Sequence, residues 1–332
     1  MHTKKIVAGA FVITLLVMLQ FLLPLSSLNT PLRFIATKFT HPEQKTWNIA
    51  HRGNEAECLE NSLPAFISAD LVGADYIELD LRLTKDDIPI IYHNSTLESH
   101  LECQDLQQQK IAKVTYEEIR QKCSYLIPAN KDCDISAWTE QPDNHVLEDL
   151  ITTNKYKILS FKDLLKILKH SDIGIFIELK DHMTHQFLNE LANLDPDNQC
   201  LVNNQNRQNT FNCYKKIKII SFSPNILNDV QELLKTKYKN TSLNNIEIFL
   251  LTGNVKGLIH EENLWSFDGV AFNYPSNSDN QEILPMMNEL ESRYPKKKKI
   301  IWTIQNTKEL DQVENLPLDG IINGIPRAGA LK

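Results

Sequence analysis

Apolar runs of four to eight residues alternate with segments whose apolar positions recur every three or four residues, the rhythm of βα units. The runs predict strands at Trp47–Ala50, Tyr76–Leu81, Ile88–Tyr92, Ile173–Leu179, Ile217–Ser221, Ile246–Leu251, Gly269–Phe272, Lys299–Thr303 and Gly320–Ile322. Amphipathic segments predict helices at Leu63–Leu71, Phe161–Leu168, Gln186–Leu194, Ile226–Leu234 and Ile283–Leu290. The turn Thr84-Lys85-Asp86-Asp87 is too short for a parallel crossover, which needs a dozen or more residues. Tyr76–Leu81 and Ile88–Tyr92 are therefore expected to form a hairpin, and at least one of the nine candidates is not a regular barrel strand. The periodicity by itself gives an α/β fold.

Two stretches depart from that rhythm. From Glu98 to Lys157 the chain holds three cysteines, the run Gln107-Gln108-Gln109 and few strand-like segments beyond a short helix near Thr115–Gln121. At the other extreme, Ile6 to Leu23 is an 18-residue run broken only by Gly9, Thr14 and Gln20, preceded by Lys4 and Lys5. A membrane-spanning helix needs about 20 apolar residues and a signal-peptide core only about 7 to 15, so the length favours an uncleaved anchor with its lysines on the cytoplasmic side. That divides the chain into a stub and transmembrane segment over residues 1–28, a tether over 29–45 and a catalytic domain over 46–332. The domain is expected on the periplasmic or extracytoplasmic side, and secreted if the segment is cleaved.

The six cysteines, at 58, 103, 123, 133, 200 and 213, suit an oxidising compartment and lack zinc-finger spacing. A disulfide between Cys200 and Cys213 would close the polar segment 201–212, while Cys58 either joins the Cys103–Cys133 region or stays free. The net charge of −7 and a pI near 5.8 argue against nucleic-acid binding, which favours basic surfaces. The run Lys296–Lys299 reads as a solvated helix-to-strand turn.

The chemistry-bearing residues stand at the ends of the apolar runs. His51-Arg52-Gly53, Glu60-Asn61-Ser62, Glu78-Leu79-Asp80 and Tyr92-His93-Asn94 follow one another within 44 positions. Downstream come Ile177-Glu178-Leu179-Lys180, Ser221-Phe222, Trp302-Thr303-Ile304 and Asp319-Gly320-Ile321-Ile322. Glu78 and Asp80 lie two apart on a strand and so project to the same side. If that side is the mouth of a barrel, they form a two-pronged chelate with oxygen donors suited to a hard cation.

In order and spacing these segments resemble the glycerophosphodiester phosphodiesterase family, over residues 47 to about 326. The resemblance implies a TIM (β/α)8 barrel carrying an inserted cap at about 98–158 over its mouth. It implies metal-dependent hydrolysis of a glycerophosphodiester to glycerol 3-phosphate and an alcohol. Glu60, Glu78, Asp80 and Glu178 would supply the metal ligands, usually three of the four, with calcium or magnesium fitting best. His51 and His93 would handle the protons, with acid and base unassigned between them. Arg52 and Lys180 would clamp phosphate oxygens, and Phe222 and Trp302 would wall the substrate or serve as core. Three positions depart from the family pattern: Asn94 where Asp is usual, Gln305 where Asn is more usual, and Asn323-Gly324-Ile325-Pro326 where Thr-Asp-x-Pro is the tendency. An amide beside His93 lacks the charge that would stabilise a cationic ring, so a lowered His93 pKa is expected. Two alternatives stand beside the hydrolase: a lysophospholipase D acting on membrane lysolipids, and a non-catalytic ligand-binding protein on the same fold.

Overall fold

The strand-forming runs close on themselves. The computed structural model describes residues 45–98, 100–140, 147–168, 171–194, 216–253, 257, 266–274 and 283–326. In chain order the strands are β1 (Trp47–Ala50), β2 (Tyr76–Leu83), β3 (Pro89–Ile91), β4 (Leu101–Cys103), β5 (Cys123–Tyr125), β6 (Gly174–Leu179), β7 (Ile217–Ser221), β8 (Glu247–Thr252), β9 (Gly269–Asn273), β10 (Lys298–Ile304) and β11 (Gly320–Asn323). Among the described residues, eight of them pair in parallel in the circular order β1, β2, β6, β7, β8, β9, β10, β11. The circle shuts where β1 meets β2 at Ile49↔Tyr76 and β11 at Trp47↔Gly320.

The ninth predicted strand is the expected exception. β3 runs antiparallel to β2, with Leu81 opposite Ile91 and Leu83 opposite Pro89. The hairpin carries the chain past the barrel mouth and back, so that the Tyr92 amide donates to the Asp80 carbonyl at 3.0 Å. That return sets His93 beside the strand-end carboxylates. The outer edge of β3 is covered by the segment leading into helix Phe161–Leu168, through Ile91 N–H to Leu159 O at 2.9 Å and an Ile90–Ser160 bridge. An edge strand so covered offers no template for pairing with another chain.

Strand parity sorts the core into layers. Ile77, Leu79 and Leu81 of β2 and Ile175, Ile177 and Leu179 of β6 face outward and pack under the helices. Tyr76 and Phe176 face inward with Ile49, Ile220, Phe249, Ala271, Ile300 and Ile322, filling the barrel with an apolar floor. Glu78, Asp80 and Glu178 share the parity of Tyr76 and Phe176 and therefore stand above that floor, toward the strands' C-terminal ends. Removing the Phe176 ring would cost about 3–5 kcal/mol, because the aromatic packing of Trp47, Tyr76 and Phe249 around it leaves little room to collapse.

Helix starts are written locally. Ser62 caps Leu63–Leu71 by accepting from the Ala65 amide, with Pro64 in the first turn; Thr115 and Glu118 form a reciprocal capping box on Tyr116–Lys122. The Glu98–Lys157 region builds a core of its own. Tyr92, Leu97, Leu101, Leu106, Ile111, Val114, Ile119, Tyr125 and Ile158 cluster around the small antiparallel pair β4–β5. Cys103 and Cys123 face each other across that pair and are joined. A second disulfide ties Cys58 to Cys133, resolving the choice left open for Cys58. Cys200 and Cys213 lie outside the described residues.

One expectation changes in part, and another falls on residues outside those described. The lysine run is only half a solvated turn: Lys296 and Lys297 form the helix-to-strand turn, Lys296 exposed, and Lys298 and Lys299 already belong to β10. Lys299 is 2% exposed and bonds Glu291 and the Tyr294 carbonyl, while Lys298 meets Glu247 at 2.5 Å and sits 4.6 Å from the Trp47 ring centroid. The run opens β10 at the floor of the barrel, where long aliphatic stems cover apolar surface and their charged ends find carboxylates. The apolar run Ile6–Leu23 and the tether lie outside the described residues, and among the described residues no helix is long and apolar enough to cross a membrane.

Candidate active site

The barrel's C-terminal end gathers the strand-end residues named above. Asp80 on β2 and Glu178 on β6 are register partners on adjacent parallel strands, and Glu78 stands one inward position deeper. One carboxylate oxygen from each of the three lies within 4.8 Å of the others, and all three residues are buried. Such proximity in a low-dielectric interior is costly for like charges. Burial, then the Asp80 charge, push the Glu78 carboxyl up to about 8, and the same two causes push Glu178 up to about 7. Asp80 is also buried, but the Lys180 and Arg52 cations beside it hold it well below the usual carboxylate range.

Cations and donors surround the cluster. Lys180 Nζ bridges Glu178 at 2.8 Å and Asp80 at 3.0 Å. Arg52 Nη1 bonds Glu60 at 2.8 Å; its Nε stands 3.3 Å from Asp80 Oδ2 without the alignment of a hydrogen bond. The Arg52 amide donates to Glu78 Oε2 at 3.0 Å, and Asn61 Nδ2 to Asp80 Oδ2 at 2.8 Å. Both contacts depend on left-handed backbone, at φ 50° for Arg52 and 54° for Asn61, which turns the loop inward. Gly53 follows at φ 84°, where a Cβ would stand 2.6 Å from the Ala65 carbonyl carbon. Only glycine lets the turn lie against the helix start there.

Of the four proposed ligands, Glu78, Asp80 and Glu178 come together. Glu60 instead pairs with Arg52 and lines an open cavity of about 680 Å³ with His93, Asn94, His100, Lys131 and Gln305. The three clustered carboxylates form an all-oxygen donor set beside Lys180 and Arg52. Such a set fits a hard divalent cation such as calcium or magnesium and lacks the nitrogen or sulfur donors zinc prefers.

The two histidines have unlike partners. His93 Nδ1 bonds Asn94 Oδ1 at 2.8 Å. Its pKa is lowered, first by burial and then by the Arg52 and Lys180 cations, which together outweigh Asp80. The expected direction is thus met, with burial rather than the missing charge as the main cause. His51 Nδ1 bonds the Glu55 carboxylate at 2.8 Å. Burial lowers its pKa, but the bond to Glu55 and the Glu78 charge prevail, leaving it raised. Glu55 was not among the residues singled out from sequence. It sits in an irregular turn, and its partners are brought to it by the fold; the local hint was only its i, i+4 spacing from His51. Gln305 Nε2 also donates to it at 3.2 Å.

Phe222 and Trp302 meet edge to face at 5.6 Å. Phe222 is 51% exposed just beyond β7, whereas Trp302 packs on the inner barrel core and donates through Nε1 to the Ala271 carbonyl. Neither lines the cavity beside His93. The inserted region does reach it: His100, stacked near Tyr92 and Tyr125, and Lys131 belong to its lining.

A closed parallel barrel with buried acidic residues and flanking histidines at its C-terminal mouth defines a class of hydrolase-like α/β barrels, though not one activity. The comparisons narrow it. The Glycerophosphoryl diester phosphodiesterase family matches residues 51–326, and the chain belongs to that family. It is 33% identical over 147 residues to Glycerophosphodiester phosphodiesterase 1 of Bos taurus, covering 44% of this chain and 38% of that protein. A glycerophosphodiester phosphodiesterase of Arabidopsis thaliana is 26% identical over 148 residues, again 44% of this chain, and 40% of the relative. The matches thus span about two fifths of these curated relatives. Among solved structures, an Oleispira antarctica phosphodiesterase in complex with the product sn-glycerol-3-phosphate superposes with a TM-score of 0.57 at 17% identity, covering 85% of this chain and 95% of that one. At that identity the likeness concerns the fold.

Proposed function

We propose that this protein hydrolyses glycerophosphodiesters to glycerol 3-phosphate and an alcohol, with Glu78, Asp80 and Glu178 holding a divalent cation, calcium or magnesium. The observation that carries the reading is the convergence of three buried carboxylates beside two histidines and two cations at one barrel mouth, in a chain of this family. When bound, the cation would neutralise charge developing on a phosphate oxygen.

The remaining chemistry falls to side chains. Arg52 and Lys180 face the carboxylates and are placed to hold the anionic phosphodiester, Arg52 through a forked contact. His93, largely neutral at pH 7, suits the role of base toward the attacking hydroxyl. His51, more readily cationic, suits protonation of the leaving oxygen. Glu60 orients Arg52. Of the two aromatics, Phe222, half exposed just beyond β7, is the one free to meet a glycerol or headgroup, with Trp302 packed edge to face behind it. The cavity sets charged groups, Arg52, Glu60, His93 and Lys131, beside apolar Leu59 and Ile325, a lining that accommodates a small polar diester. Placement outside the cytoplasm, tethered by the apolar run near the N-terminus or released by cleavage, agrees with the two disulfides.

The test is product release by the full chain from glycerophosphocholine, glycerophosphoethanolamine and lysophosphatidylcholine, with calcium, magnesium or EDTA. Glycerol 3-phosphate from the first two, abolished by EDTA, supports the reading. Lysophosphatidic acid from the third alone replaces it with lysophospholipase D. No turnover of any substrate by the folded, metal-supplied protein points to a non-catalytic role.

A further inference from the structure

We infer that Glu55 is a positioning residue for His51, holding the ring with its Nδ1–H toward the Glu55 carboxylate and leaving Nε2 as the nitrogen that exchanges protons. The inference rests on the hydrolase reading above for its kinetic consequences, while the geometry belongs to the structure alone. Glu55 Oε1 lies 2.8 Å from His51 Nδ1, and both side chains are less than a fifth exposed. An ionised carboxylate only accepts, so the shared proton sits on Nδ1. A carboxylate behind a histidine fixes the tautomer and ring orientation and supports the cationic form.

Several independent contacts hold Glu55 there. Gln305 Nε2 donates to the same Oε1 from 250 positions away. The Lys131 ammonium, from the inserted region, donates to the Glu55 carbonyl and, at 2.9 Å, to the Ala56 carbonyl. The Ala56 amide donates to the Gly324 carbonyl at 3.1 Å, and the His51 amide to the Asn323 carbonyl at 2.9 Å, docking both ends of the His51–Ala56 turn on the end of β11. Gly324 makes room. A Cβ at that position would stand 2.6 Å from Glu55 Oε1 and 2.7 Å from Gln305 Oε1. Two of the three departures from the family pattern, Gln305 and Gly324, therefore face this one carboxylate. The third, Asn94, leaves the other histidine with an amide. The carboxylate partner in this protein stands behind His51.

Full-length protein and glycerophosphocholine, with calcium or magnesium, provide the kinetic test. Glu55→Ala is expected to lower kcat/KM on the order of 10²-fold, mostly in kcat, because general acid–base catalysis contributes 10² to 10⁴ and survives only in part without orientation. In a His51→Ala background the same change should cost less than about threefold, since its target is gone. Equal losses in both backgrounds, or no loss in the first, would overturn the inference while leaving the hydrolase reading intact. If the wild type turns over no diester, ring-¹⁵N spectra of the same full-length protein decide alone, with His51 assigned by the His51→Ala spectrum. A protonated Nδ1 with bare Nε2 near pH 8, converted to a tautomer mixture in Glu55→Ala, supports the inference. An Nε2–H tautomer in the wild type, or an unchanged spectrum in the variant, refutes it.

Discussion

The two histidine loops stand at one barrel mouth with different electrostatic surroundings. His51 follows β1 and leans on a carboxylate; His93 follows β3 and leans on an amide. Both rings are substantially buried, and burial alone lowers the pKa of each. The difference is what answers the burial. Glu55 and Glu78 reverse it for His51 despite Arg52, whereas at His93 the Asp80 charge and the Asn94 dipole oppose it but are outweighed by burial together with the Arg52 and Lys180 cations. Two residues of one type, on one barrel mouth, are thereby set apart in protonation. Surroundings that move two pKa values apart suit one ring to give a proton and the other to take one.

Removing either ring should produce the largest effect. His51→Ala and His93→Ala are each expected to lower kcat by 10² to 10⁴, followed as glycerol 3-phosphate release at saturating substrate. Next comes the staple behind the His51 loop. Cys58–Cys133 spans 75 positions, and loop-closure entropy of that length corresponds to about 4 kcal/mol in the chain-entropy model. A Cys58→Ser, Cys133→Ser double variant should lose stability of that order in denaturant unfolding, and lose more activity than Cys103→Ser, Cys123→Ser, whose disulfide lies within the inserted region. Smallest is the change that would erase the comparison itself. Asn94→Asp places a carboxylate behind His93 and should raise its pKa by about one unit. A raised base pKa keeps His93 protonated to higher pH, so the acid limb of the pH–kcat/KM profile should move upward and the rate at pH 6 should fall severalfold.

The strand and helix rhythm was legible, because the parallel strands are largely buried on both faces and read as mostly apolar runs, while closure into a barrel followed from the family resemblance and not from periodicity. The hairpin was equally legible: four turn residues cannot accommodate a crossover, and β3 pairs antiparallel as that length demands. The carboxylate cluster was half visible. Period-two geometry put Glu78 and Asp80 on one face, but only the β2–β6 register sets Glu178 against Asp80 and leaves Glu60 with Arg52. Glu55 was invisible for a different reason. Its role is conferred by Gln305 and Gly324, some 250 positions or more away, through an approach that no local periodicity encodes. The lysine run misled only in its second half, because a string of like charges reads as solvated, while for Lys298 and Lys299 the residues Glu247 and Glu291 supply partners from other elements. Strands of three residues, such as β4 and β5, are too short to show alternation, and their pairing rests on a disulfide whose connectivity the spacing left open.

The central claim is that their surroundings shift the His51 and His93 rings in opposite directions, and NMR titration of both rings in one metal-free sample tests it most directly. The expected result is a His51 midpoint above the ordinary 6.5 and a His93 midpoint below it. Coincident midpoints, or the reverse order, would contradict the assignment of unequal roles to the two loops.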